Sequence, residues 1–136
     1  MKPAARRLLI QSTKEHEGFR SLPYPDTAGH LTIGYGLNLD AGMTEEEAEA
    51  ILVIRLCNAE TSLLDHYTWF SGLSDTRQRS LIEMHYQLGS ISVFRRMIRA
   101  LRAGNYDKAA AEMLDSQWNT QTPTRAAHCA ALMREG

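Results

Sequence analysis

The chain has 136 residues, with 15 basic and 16 acidic side chains, a formal net charge of −1 and only two cysteines. With 43% hydrophobic and 23% charged residues it has the composition of an ordinary globular protein, long enough to bury a core without staples. That balance excludes a disordered or strongly basic chain. Cys57 and Cys129 have no C-x-x-C spacing and no histidine at ligand spacing, which excludes a disulfide framework and a zinc site. Both are read as reduced thiols buried among apolar residues. No metal and no cofactor is expected.

In chain order, residues 1–7 are basic, but the apolar stretch that follows is only Leu8, Leu9 and Ile10. This is shorter than the core of a signal peptide, and no run approaches membrane-spanning length. The reading is therefore synthesis in the cytoplasm, with no membrane segment. A first helix is predicted over 4–17, with Leu8 and Leu9 on its buried face and Gly18 as its stop.

From 18 to 40 the character changes. Pro23, Pro25, Gly29, Gly34 and Gly36 oppose helix, residues 30–35 alternate with β-forming side chains, and Asp26 opens a turn sequence. A small antiparallel hairpin or three-stranded sheet is predicted. Thr44 and Glu47 form a capping box for a helix over 44–65. Its centre, 50–57, is apolar on nearly every side and is read as buried.

Helices follow over 75–88, stopped by Gly89, over 92–103, stopped by Gly104, and over 106–115. Val93, Phe94, Met97, Ile98 and Leu101 form the apolar stripe of the second, opposite Arg95, Arg96, Arg99 and Arg102. Thr122 and Pro123 are the N-cap and first position of the last helix. The fold class is α+β, mostly helical, as a single domain over 1–136. It comprises a small β lobe at 18–40, a connecting helix at 44–65 and a helical lobe at 66–136, with a cleft between the lobes.

Charge is unevenly spread: 40–65 holds seven acids and one base, Arg55, whereas 77–108 holds seven bases and two acids. Two solvated faces of opposite sign explain this, and a basic surface for an anionic polymer is the alternative. The five histidines are scattered and none is read as catalytic.

Glu17, at the end of the first helix, and Asp26, in the turn of the sheet, are two carboxylates that such a fold can bring to one groove. Glycoside hydrolysis needs such a pair, one protonated and one ionised. The surrounding residues sharpen this. The stretch 16–36, HEGFRSLPYPDTAGHLTIGYG, closely resembles the signature of the phage-type lysozymes, or endolysins, of glycoside hydrolase family 24. The family's catalytic Glu-x8-Asp-x5-Thr spacing falls on Glu17, Asp26 and Thr32. Residues 84–89, MHYQLG, are similar to its substrate-contacting helix segment and point to Tyr86 and Gln87. Residues 118–125, WNTQTPTR, are similar to a segment whose arginine reaches the catalytic glutamate, which implies Arg125 as the partner that positions Glu17. The resemblance runs from Glu17 to Arg134.

Two departures stand out. The connection between Gly36 and Thr44 is short, and Leu37 replaces an ion-pairing histidine of one well-known member.

The resemblance implies a muramidase that hydrolyses the β-1,4 bond from N-acetylmuramic acid to N-acetylglucosamine in peptidoglycan. Glu17 would be the general acid, kept protonated by partial burial, with Asp26 and Thr32 directing a water in an inverting reaction. Gly34 and Gly36 would let the strand bend and the sugar approach, Gly36 as a substrate-contact position. Trp118 is read as core. A monomer is expected, acting on cell wall after a holin opens the membrane, so that the enzyme passes from host cytoplasm to periplasm. Three alternatives stay open: a lytic transglycosylase, a non-catalytic glycan-binding phage module, and a nucleic-acid binder using the arginine face, which lacks a recognition-helix pattern.

Overall fold

The computed structural model describes residues 1–136 and contains seven α-helices and one three-stranded antiparallel sheet. It is a mostly helical α+β fold, the class expected from the sequence. The chain forms two compact units, Met1–Glu49 and Ala50–Gly136. No helix is long and apolar enough to cross a membrane.

In the first unit, helix α1 (Pro3–Glu17) begins with proline at its first position and ends at Gly18, whose N–H donates to the Lys14 carbonyl at 3.0 Å. Strands β1 (Arg20–Pro25), β2 (Leu31–Gly34) and β3 (Leu37–Asn38) follow and lie in that order in the sheet. β2 is central, so Thr32 stands between Tyr24 on one side and Asn38 on the other. Being flanked on both edges buries it, and Thr32 is the one buried residue of the unit. The Leu31 N–H, at the head of β2, donates to Asp40 Oδ2 at 2.9 Å.

Helix α2 (Glu45–His66) opens with the reciprocal cap foreseen from its sequence. The Glu47 N–H donates to Thr44 Oγ1 at 3.2 Å and the Thr44 N–H donates to Glu47 Oε2 at 2.7 Å.

In the second unit, α2 contributes only Ala59 and Leu63 to the core, four residues apart on one stripe. Around them pack α3 (Asp75–Leu88), α4 (Arg95–Arg102), α5 (Tyr106–Leu114), α6 (Gln117–Gln121) and α7 (Pro123–Glu135). Helix α7 is the hub, in contact with α3, α5 and α6. The core is rich in unbranched side chains, with Met84, Met97, Met113 and Met133 fully buried beside Phe70, Leu81 and Ile91. Such side chains fill irregular gaps between short helices. Cys129 is buried here, and burial pushes its thiol up to about 11; Cys57 is exposed, against the expectation for it.

Several expectations fail on burial. Leu8, Leu9 and Ile10 of α1 are more than half exposed, as are Val53 and Ile54 of α2. Hydropathy shows that these stretches are apolar, but without a clean period it does not select a face. Val93 lies outside the stripe assigned to it and is 79% exposed, because α4 begins only at Arg95. The residues before it are held in a turn in which the Ser92 N–H donates to Ser90 Oγ at 3.1 Å. Thr122 precedes α7 but makes no cap; its hydroxyl donates back to the Trp118 carbonyl at 3.1 Å.

Candidate active site

The turn from Asp26 to His30 is built on one side chain. Asp26 Oδ1 accepts the backbone N–H of Ala28 at 2.9 Å and that of His30 at 2.8 Å. This is the local bonding that places Asp at turns. The His30 carbonyl closes the turn by accepting the Asp26 N–H at 2.8 Å, and it also accepts the Thr32 hydroxyl at 3.0 Å. Two positions of the sequence signature are thus tied to a single peptide. On the other carboxylate oxygen, His30 Nδ1 lies 3.5 Å from Asp26 Oδ2. Together these contacts hold the Asp26 carboxyl below its ordinary range, with the His30 backbone N–H as the largest cause. Asp26 remains partly open to solvent, its side chain 35% exposed. It is an ionised, fixed and accessible acceptor.

Glu17 is the last residue of α1, and the turn between β2 and β3 carries Tyr35 and Gly36 up against that helix end. Lys14 Nζ sits 5.1 Å from the centre of the Tyr35 ring, and Phe19 packs on the same ring at 5.5 Å. Gly36 then meets Glu17 directly. A Cβ at Gly36 would stand 2.5 Å from Glu17 Oε2 and 3.0 Å from its carboxyl carbon. Its φ of +78° is also one that L side chains rarely adopt. Glycine is required here twice over, once for the turn and once for the carboxylate beside it. Glu17 is exposed, so the partial burial expected for it is absent. The physical reason is that its neighbours are a glycine and a helix end, neither of which covers a carboxylate.

Glu17, at the end of α1, lies beside the turn that follows β2, and Asp26 lies in the turn that precedes it. Glu17, Asp26, Thr32 and Gly36 are therefore assembled within the first unit.

Tyr86, Gln87 and Arg125 belong to the second unit and line one cavity of about 550 Å³ there, with Arg55, Asn58 and His85. Tyr86 is 42% exposed. The Gln87 amide is engaged at both ends. Its oxygen accepts the Trp118 indole N–H at 3.0 Å, and its nitrogen donates to Thr122 Oγ1 at 3.3 Å. Trp118 is buried, as read from the sequence, and meets Phe94 edge-on at 6.3 Å. No group of metal-ligating side chains is gathered anywhere in the chain.

A family model described as phage lysozyme matches residues 14–134. The chain belongs to the phage lysozyme family. It is a lysozyme-type glycosidase. It is 26% identical to a probable T4-type lysozyme 1 of Dictyostelium discoideum and 25% identical to a probable T4-type lysozyme 2 of the same organism. Each alignment covers 90% of this chain and 91% of the relative. It is also 26% identical to the pre-baseplate central spike protein Gp5 of Enterobacteria phage T4, over 94% of this chain but only 28% of that protein.

At the candidate site, two contacts were not legible from the sequence. His30 had been set aside with the other histidines, yet its backbone and ring together organise Asp26. The signal was the spacing of four residues from an Asx-turn aspartate. Gly36, expected as a substrate-contact position, also has the Glu17 carboxylate in the space a Cβ would fill.

Two outcomes are expected. Gly36→Ala forces a clash on Glu17 and strains the turn; a misplacement of about 1 Å lowers rates on the order of 100-fold. Wall-clearing assays should show that loss with an unchanged helical circular dichroism spectrum. For Asp26, the depressed folded-state pKa means its stabilising contribution is present above the unfolded value of about 3.9 and is lost as pH falls through the lower folded value. His30→Ala keeps the backbone N–H that dominates the shift. Carbon NMR titration should therefore still find the Asp26 carboxyl below about 3.9 in that variant.

Proposed function

We propose that this protein is a muramidase, cleaving the β-1,4 bond from N-acetylmuramic acid to N-acetylglucosamine in peptidoglycan by an inverting hydrolysis. The observation that carries the reading is the Asp26 carboxylate held ionised by two backbone N–H groups while one side remains open to solvent. Such a group accepts a proton from a water, or orients one, without moving.

In this reading Glu17 donates the proton to the departing sugar oxygen. Asp26 takes a proton from the water that attacks the anomeric carbon, and Thr32 helps to place that water. The Thr32 hydroxyl gives its hydrogen to the His30 carbonyl, which leaves its lone pairs as acceptors. An inverting course calls for the wider carboxyl spacing of about 6.5–9.5 Å rather than the roughly 5 Å of retaining enzymes. Glu17 is exposed, so exclusion of water from it falls to the bound glycan strand. Arg125 acts as the partner that orients Glu17, and Tyr86 and Gln87 contact sugar. With its amide already bonded to Trp118 and Thr122, Gln87 presents a fixed edge rather than a searching one. The biological setting is lysis of a bacterial host, with a holin giving access to the wall and the enzyme acting there as a monomer.

The test is clearing of chloroform-treated Gram-negative cells by the wild type beside Glu17→Gln, Asp26→Asn and Thr32→Ala. The first two should each lose on the order of 10²–10⁴ in rate while staying folded by circular dichroism. Mass spectrometry of the released fragments should find reducing ends. Anhydro ends would instead mean a transglycosylase, and full activity of Glu17→Gln would remove the acid from its role.

A further inference from the structure

Several charged side chains on the second unit are paired with one another. Arg96 lies 2.9 Å from Glu112 and 3.2 Å from Asp115, Lys108 reaches Glu112 at 2.7 Å, and Arg79 reaches Glu83 at 2.8 Å. The cavity beside Tyr86 is different. Arg55 comes to it from α2 and Arg125 from α7, no carboxylate lines it, and neither guanidinium takes part in an ion pair or a side-chain hydrogen bond. His85 lines the same space with its Nδ1 buried and unpartnered. Burial, followed by the nearby His66, lowers the His85 pKa, so its ring is neutral near pH 7 and able to donate one N–H. Asn58 adds an amide. Cationic and polar donors converge here with no carboxylate among them.

We infer that this cavity is an oxyanion subsite and that Arg55 selects glycan strands bearing free carboxylates on their peptide branches. The inference rests on the muramidase reading for the identity of the ligand. Peptidoglycan brings carboxylates close to the sugar backbone, and the cavity that would take the sugar at Tyr86 presents the fork-shaped Arg55 cation to meet them. A guanidinium binds a carboxylate in two parallel hydrogen bonds, which a neutral amide branch does not reproduce. Arg125 already has a part in the proposed reaction, so the assignment is tested on Arg55, an exposed residue whose replacement leaves the core intact.

The experiment is calorimetric binding, at low ionic strength, of a soluble disaccharide-tetrapeptide in its free-acid form and in its fully amidated form. The wild type should bind the free acid roughly 3- to 10-fold more tightly, the range of a solvent-exposed charge pair to a charge-assisted bond. Arg55→Gln should abolish the difference. Arg55→Lys should keep part of it, because the charge stays and the paired geometry goes. Equal binding of the two forms by the wild type, no binding of either, or an undiminished preference in Arg55→Gln overturns the assignment. So does inorganic phosphate that binds through Arg55 while amidation of the peptide changes nothing. Binding is read without turnover. A protein that prefers the free acid yet degrades no wall sinks the hydrolase reading alone, and an active enzyme with no preference sinks the subsite alone.

Discussion

The backbone of His30 is the contact on which the candidate site depends. Its N–H holds Asp26 Oδ1, and its carbonyl takes both the Asp26 N–H and the Thr32 hydroxyl. Three hydrogen bonds on the backbone of one residue fix the carboxylate, the hydroxyl and the start of β2 in a single arrangement. Backbone N–H donors aimed at a carboxylate both orient it and favour its charged form. The turn therefore supplies geometry and protonation state together, with no need for a nearby cation. Substituting the His30 side chain touches little of this, because the backbone carries most of it.

The two units are held by different physics. The second is a conventional core in which four methionines, leucines and a phenylalanine fill the space between short helices and α7 touches three of its neighbours. The first buries one residue, Thr32, and is held instead by hydrogen-bonded turns, by Lys14 and Phe19 on Tyr35, and by the close approach of Gly36 to Glu17. A unit of this kind trades packing for exposed, preset polar groups, as a site for a polar polymer requires. The candidate carboxylates sit where the apolar core is smallest.

The secondary elements were legible because their end signals are local. Thr44 with Glu47, Pro123 at a first helical position and Gly18 at a helix end state their role within four residues. The turn at Asp26 was legible from its own chemistry. Burial was not. Leu8, Leu9 and the apolar centre of α2 lacked the period that chooses a face, and they are exposed. The roles of His30 and Gly36 were hidden for a related reason. One acts mainly through its backbone, which any residue would carry, and the other through a side chain it does not have. Sequence patterns report which atoms a residue brings, and both of these depend on atoms or space that the residue's name does not specify.

If Asp26 directs a water, that water must strike the anomeric carbon from the face opposite the departing sugar. The configuration of the newly released reducing end, followed by proton NMR in the first minutes of hydrolysis, tests this most directly. The α anomer should appear first and relax towards the equilibrium mixture. A β anomer appearing first would mean that Asp26, or another group, bonds to the sugar, and the fixed-acceptor account of this turn would be wrong.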